Sequence, residues 1–334
     1  MKKLLFAAWC ACWLVACLPS VQAPPPATAL PTTNPLPTQM PTAVPPTPIP
    51  TLTAVPLPPT ATAVPTSTPQ PTATATPTPL PTAVPPSARI NDIPQSDFLW
   101  LPPETVSNVQ NTFLRGQSLG RAPNRFSKLG DSLVAHPGFL TMFDRGAYNL
   151  GPYERLQPTI DYYADSYARY GVGLKIGLSS FGILDPFWAD KEWCNPNEHL
   201  LACEIRLHNP SMLLIQMGTN DASLSFEENM REVLTYALDE GVVPVLITKA
   251  DRFEGDNRNN EALRRLAAEL NVPLLDFDLL ADTLPGRGLR DDNAHLTVPD
   301  YHDYAQPETL TYGHGVHNLA LLMMLDALRE IVQA

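Results

Sequence analysis

The chain's 334 residues would fill two average domains, but 38 prolines against 17 glycines show that length overstates the folded part. Its formal net charge is −12, and −14 once Lys2 and Lys3 are set aside with a leader segment. A surface of that sign excludes nucleic acid as a partner, because the phosphates would be repelled.

In chain order, Lys2 and Lys3 precede an apolar run from Leu4 to Ala16, the pattern of a signal peptide over residues 1–16 rather than a spanning helix. Leu14-Val15-Ala16-Cys17 resembles the lipobox of bacterial lipoproteins, which implies that Cys17 is lipidated and heads a mature segment 17–23. The alternative is an ordinary cut after Ala23. Residues 24–87 then hold 22 of the 38 prolines, 17 threonines and no charged residue, so they cannot bury enough apolar surface to offset the entropy of ordering them. PTAVPP stands at 41–46 and again at 81–86, without the fixed period of a solenoid. The segment reads as a disordered Pro/Thr-rich linker, about 200 Å long if fully extended at ~3.1 Å per residue.

Residues 88–334 are enough for one α/β domain. Strands are predicted at Arg125–Leu129, Val172–Leu178, Met212–Met217, Val242–Thr248 and Val272–Asp276. Helices are predicted at Phe226–Glu240 and Asn260–Leu270, where apolar residues recur at 3/4 spacing. Runs such as Leu213-Leu214-Ile215 suit strands buried on both faces, so the fold class is α/β: a three-layer α/β/α sandwich with a mainly parallel, flavodoxin-like sheet. Cys194 and Cys203, the even pair left after the leader, are expected to form a disulfide; free thiols or half of a metal site are the alternatives.

Ligand sites in such folds lie at the carboxyl ends of strands. Gly130-Asp131-Ser132 follows the first strand, a turn that could expose a serine hydroxyl or merely cap a helix. Gly218-Thr219-Asn220-Asp221 follows the third, where the Asn220 amide could stabilise an oxyanion or cap the next helix. Asp292-Asn293-Ala294-His295 is the chain's one Asp-x-x-His, a spacing that lets the carboxylate fix the imidazole tautomer.

Together these residues resemble the SGNH, or GDSL-type, esterases and lipases over about 125–334. The resemblance implies a serine nucleophile Ser132, a base His295, an orienting acid Asp292, and oxyanion donors from the Ser132 N–H, the Asn220 amide and a glycine N–H. For that glycine, Gly177 is preferred and Gly182 is the reserve. Where the family begins a terminal helix soon after the histidine, Thr297–Thr311 intervenes, a lid or acceptor-site wall or else a structural loop. His314 and His317 are rival bases but have no aspartate at the right spacing. Neither a cofactor nor a metal is expected.

The expected function is a cell-surface or periplasmic serine ester hydrolase, held to the membrane by lipid on Cys17, acting on short acyl (acetyl) esters of envelope or extracellular polysaccharide. The aromatic loops bearing Trp188, Trp193, Tyr301 and Tyr304 would suit sugar faces. The alternatives are acyl transfer to a carbohydrate hydroxyl by the same triad, or glycan binding without turnover.

Overall fold

The computed structural model describes residues 88–334. The signal segment 1–16, Cys17 and the linker 24–87 lie outside the described residues.

Five strands form the central sheet: β1 (Leu99–Trp100), β2 (Ala122–Gly130), β3 (Pro210–Gln216), β4 (Val243–Ile247) and β5 (Leu274–Leu275), in the order β1-β5-β4-β3-β2. All neighbours run parallel except the edge strand β1, which pairs antiparallel with β5. Helices α1 (Pro103–Ser118), α2 (Leu200–His208), α3 (Phe226–Asp239), α4 (Arg258–Leu270) and α5 (Gly313–Gln333) cover it.

Side-chain alternation along the strands sorts two cores. Met212 and Leu214 of β3 point with Phe126, Val243 and Val245 toward α1 and α5, which contribute Val109, Phe113 and the buried run from Leu319 to Leu325. Leu213 and Ile215 point the other way, with Leu129 and Leu246, onto Leu201 and Ile205 of α2, Met230 and Val233 of α3, and Leu263 and Leu266 of α4. A sheet buried on both faces between two helical layers is the expected three-layer α/β/α sandwich.

The expected strand Val172–Leu178 is a correction. Only Leu174 pairs, in a parallel bridge to Gly130 at the outer edge of β2, joined by Gly130 N–H to Gly173 O and Lys175 N–H to Gly130 O, both 3.1 Å. Gly171, Gly173 and Gly177 supply no side chains to pack. Gly173 N–H is drawn off to the buried Glu204 carboxylate (3.2 Å), and Gly177 turns the chain at φ +75°. The rudiment still fixes topology. The chain leaves β2 toward Leu174 on one side and returns to β3 on the other, so adjacent connections diverge at the carboxyl ends of β2 and β3. That divergence opens a crevice where ligands bind in open α/β sheets.

Candidate active site

The serine turn is built by steric exclusion. A Cβ on Gly130 would lie 2.3 Å from Val134 Cγ2 and 2.8 Å from the Gln216 carbonyl, so only glycine lets β2 end against β3 there. The next residue, Asp131, is fully buried, and Ser132 emerges half-buried.

His295 arrives 163 residues later beside it: Ser132 Oγ is 3.0 Å from His295 Nε2, and His295 Nδ1 is 2.9 Å from Asp292 Oδ2. The turn that aims the ring is local. Asn293 sits in the left-handed region at φ +56°, and Asp292 Oδ1 accepts the N–H groups of Ala294 (3.0 Å) and His295 (2.9 Å). Those two backbone donors, then the imidazole, hold the Asp292 carboxyl at about 2, so it is an anion. An anion facing Nδ1 assigns the hydrogen to that nitrogen and leaves Nε2 as the acceptor for the serine O–H. Such an arrangement can take a proton from Ser132 and return it to a leaving group.

Asn220 lies at the same crevice. Its Nδ2 donates to Asp131 Oδ2 (3.0 Å) and, at longer range, to Leu178 O (3.4 Å). Its loop is fastened from below: Asn259 Nδ2 donates to Gly218 O (2.8 Å) and Asp221 O (2.9 Å), and Thr219 Oγ1 donates to Asp251 Oδ2 (3.0 Å). Asp251 Oδ1 in turn pairs with the buried Lys249 Nζ (2.9 Å), which also meets Glu254 (2.5 Å). Of the two candidate glycines, Gly182 has its N–H committed to Ser179 O (3.0 Å), and a Cβ there would meet the Trp188 ring at 3.1 Å. The Gly177 and Ser132 N–H groups have no acceptor among the described residues. Gly177 directly precedes Leu178, whose carbonyl Asn220 touches.

The rivals fall elsewhere. His317 Nε2 faces Gln216 Nε2 (3.3 Å) and His314 stacks on His136, both buried and neither bonded to Ser132. Cys194 and Cys203 are joined as a disulfide, and Glu198, the third residue near them, pairs with Arg206, so these groups are not a metal site. Within the insertion, Tyr301 is exposed but Tyr304 is buried, its hydroxyl on Gly315 O (3.2 Å) and its ring edge-on to Tyr153. The expectation that Tyr304 offers a face to sugar is therefore corrected: its ring closes the core under α5.

Two contributors escaped sequence reasoning. Asp131 links the serine turn to Asn220, and only its place inside Gly-Asp-Ser hinted at a role. Arg290 lines a cavity of about 470 Å³ with Leu289, Asp291, Asp292 and Thr297, and its guanidinium has no ion-pair partner among the described residues. Nothing in the local sequence marks it out.

No family model and no curated protein matches the chain. Among solved structures it is similar to a lipolytic protein of the G-D-S-L family from Desulfitobacterium hafniense DCB-2, with 13% identity over 60% of this chain and 99% of that one, TM-score 0.38. It is also similar to the psychrotrophic esterase EstA of Pseudoalteromonas sp. (18%, 52% and 87%, 0.34) and to a GDSL-like lipase from Bacteroides thetaiotaomicron VPI-5482 (12%, 67% and 98%, 0.34). Likeness at these scores carries no weight on function, which is read from the side chains.

Proposed function

We propose that the protein is a serine carboxylic ester hydrolase. The observation that carries this reading is His295, bridged at 3.0 Å to the Ser132 hydroxyl and at 2.9 Å to the Asp292 carboxylate. Ser132 Oγ attacks the acyl carbonyl carbon while its proton passes to His295 Nε2; the alcohol then leaves with that proton, and water deprotonated by His295 releases the acid. The developing oxyanion is met by the N–H groups of Ser132 and Gly177 and by the Asn220 amide, whose 3.4 Å contact to Leu178 O is weak enough to exchange.

Short acyl groups are favoured because the cavity beside the triad is lined by Arg290, Asp291, Asp292 and Thr297, with Leu289 its one aliphatic side chain. Acetyl on polysaccharide is the proposed ester, and lipid on Cys17 with the 24–87 linker the proposed tether; an unmodified mature N-terminus by mass spectrometry would remove the tether.

The test pairs p-nitrophenyl acetate with a fluorophosphonate probe. Wild type hydrolyses the one and is labelled by the other; Ser132→Ala is unlabelled and loses at least ~10³-fold in kcat. Labelling that survives Ser132→Ala, or a wild type that does neither, overturns the proposal.

A further inference from the structure

A second cavity, of about 720 Å³, lies on the outer edge of the sheet beyond Leu174, lined by Tyr170, Lys175, Trp188, Asp190, Lys191 and Trp193 among others. Tyr170 is 64% exposed and Trp193 58%, large rings left in water on an otherwise acidic domain. The backbone that carries Trp193 is fixed. Trp193 N–H donates to Asp190 O (3.1 Å), its carbonyl accepts from Arg206 (3.0 Å), and the adjacent Cys194 is bonded to Cys203 in α2. Trp188 is wedged under Gly182, with the Lys175 ammonium 5.4 Å above its ring and donating to its carbonyl at 2.8 Å. A packed Trp188 flanked by two rings that stand in solvent presents its aromatic surface to a ligand rather than to the core.

We infer that this cleft binds a neutral polysaccharide strand. Ring faces interleaved with ammonium donors and a carboxylate match the two sides of a pyranose, apolar C–H faces and an equatorial rim of hydroxyls. Lys175 and Lys191 each spend ammonium protons on backbone carbonyls yet have three to give, and Asp190 accepts. A protein partner fits less well, since the cores of protein interfaces are depleted of Lys and Asp and need a broad patch rather than a concavity of this size. An anionic strand is disfavoured because Arg169 in the lining is already paired with Glu204, Asp190 stands among the ammonium groups, and the domain as a whole is negative.

The inference rests on the ester-hydrolase reading for its purpose, because the cleft adjoins the oxyanion turn. Lys175 is both its wall and the residue whose N–H bonds Gly130, two positions before Ser132, and Gly177 follows two positions later. A strand lying in the cleft would bring a substituent a few sugars along to Ser132.

The experiment titrates Ser132→Ala with xylohexaose, cellohexaose, chitohexaose, polygalacturonate and casein, followed by tryptophan fluorescence and calorimetry. At least one neutral hexasaccharide binds, and Trp193→Ala or Tyr170→Ala, made in that background, weakens it about tenfold or more, while Trp193→Phe retains most of the affinity. With Ser132 present, Trp193→Ala leaves p-nitrophenyl acetate turnover and Tm unchanged and raises KM on acetylated xylan. Absence of neutral hexasaccharide binding, binding indifferent to both aromatic substitutions, or binding of polygalacturonate or casein in their place overturns it. Since binding is read without turnover, it can fail while the esterase stands, and the reverse.

Discussion

At the scale of single residues, the site depends on a carboxylate that touches no substrate. Asp131 is buried, and desolvation, with the neighbouring Asp251 and Asp221, lifts its carboxyl to about 6 against the pull of the Leu133 N–H and Asn220. Above that pH the anion holds the Asn220 amide toward the crevice; below it one oxygen carries a proton and no longer accepts. Asn220→Ala is expected to lower kcat by ~10² to 10³, the usual cost of one oxyanion donor, with little change in KM. Asp131→Asn should cost no more than that, because it loosens the donor without removing it. The distinguishing readout is pH: log kcat/KM should fall more steeply below pH 6 in wild type than in Asp131→Asn. Equal slopes would separate Asp131 from the oxyanion site.

At the scale of elements, what the sequence disclosed follows from period and burial. β3 and β4 were legible because strands buried on both faces are unbroken apolar runs, and α3 and α4 because their 3/4 apolar stripes face one core. Segment 171–177 misled because its Val, Leu and Ile imitate a strand, while three glycines and a bond to Glu204 divert the backbone. α1 went unpredicted although Pro103 at its first turn and Val109 and Phe113 at helical spacing mark it; β1 is two residues long and defined only by its pairing with β5. The triad was readable as two motifs, Gly130-Asp131-Ser132 and Asp292-x-x-His295, but their meeting was not, since 163 residues separate Ser132 from His295. The Cys194–Cys203 loop makes this scale testable. Its nine-residue separation predicts a loss of about 2 to 3 kcal/mol for Cys194→Ser/Cys203→Ser. Denaturant unfolding reads that loss. p-Nitrophenyl acetate turnover should stay within about twofold, as the bridged loop carries none of Ser132, Asn220, Asp292 or His295. A parallel loss of turnover would place the loop in the acyl site.

Across the whole described domain, burial of histidine sets the response to acid. His208 and His302 are pushed down to about 4 and His317 to about 3, all chiefly by desolvation, and His314 well below its ordinary value by burial and by its histidine neighbours. These rings are neutral in the folded state, whereas the unfolded chain protonates them below about 6.5. The unfolded state therefore binds more protons, and stability, complete above pH 6.5, falls as pH drops toward 4 by about 1.4 kcal/mol per unit for each ring. Asp131 and Asp221 oppose this. Their raised values mean the folded state holds more protons there, so their contribution grows as pH falls and cancels at most two of the four. The net slope keeps the histidines' sign. Urea unfolding at pH 7, 6 and 5 should show stability falling throughout. His317→Phe, whose ring would keep the edge contacts with Phe139 and Phe277 while Gln216 retains Thr248 O, should flatten the slope by about 1.4 kcal/mol per unit. A variant as acid-sensitive as wild type would mean that His317 takes up its proton without unfolding the domain, and that the acid response arises elsewhere.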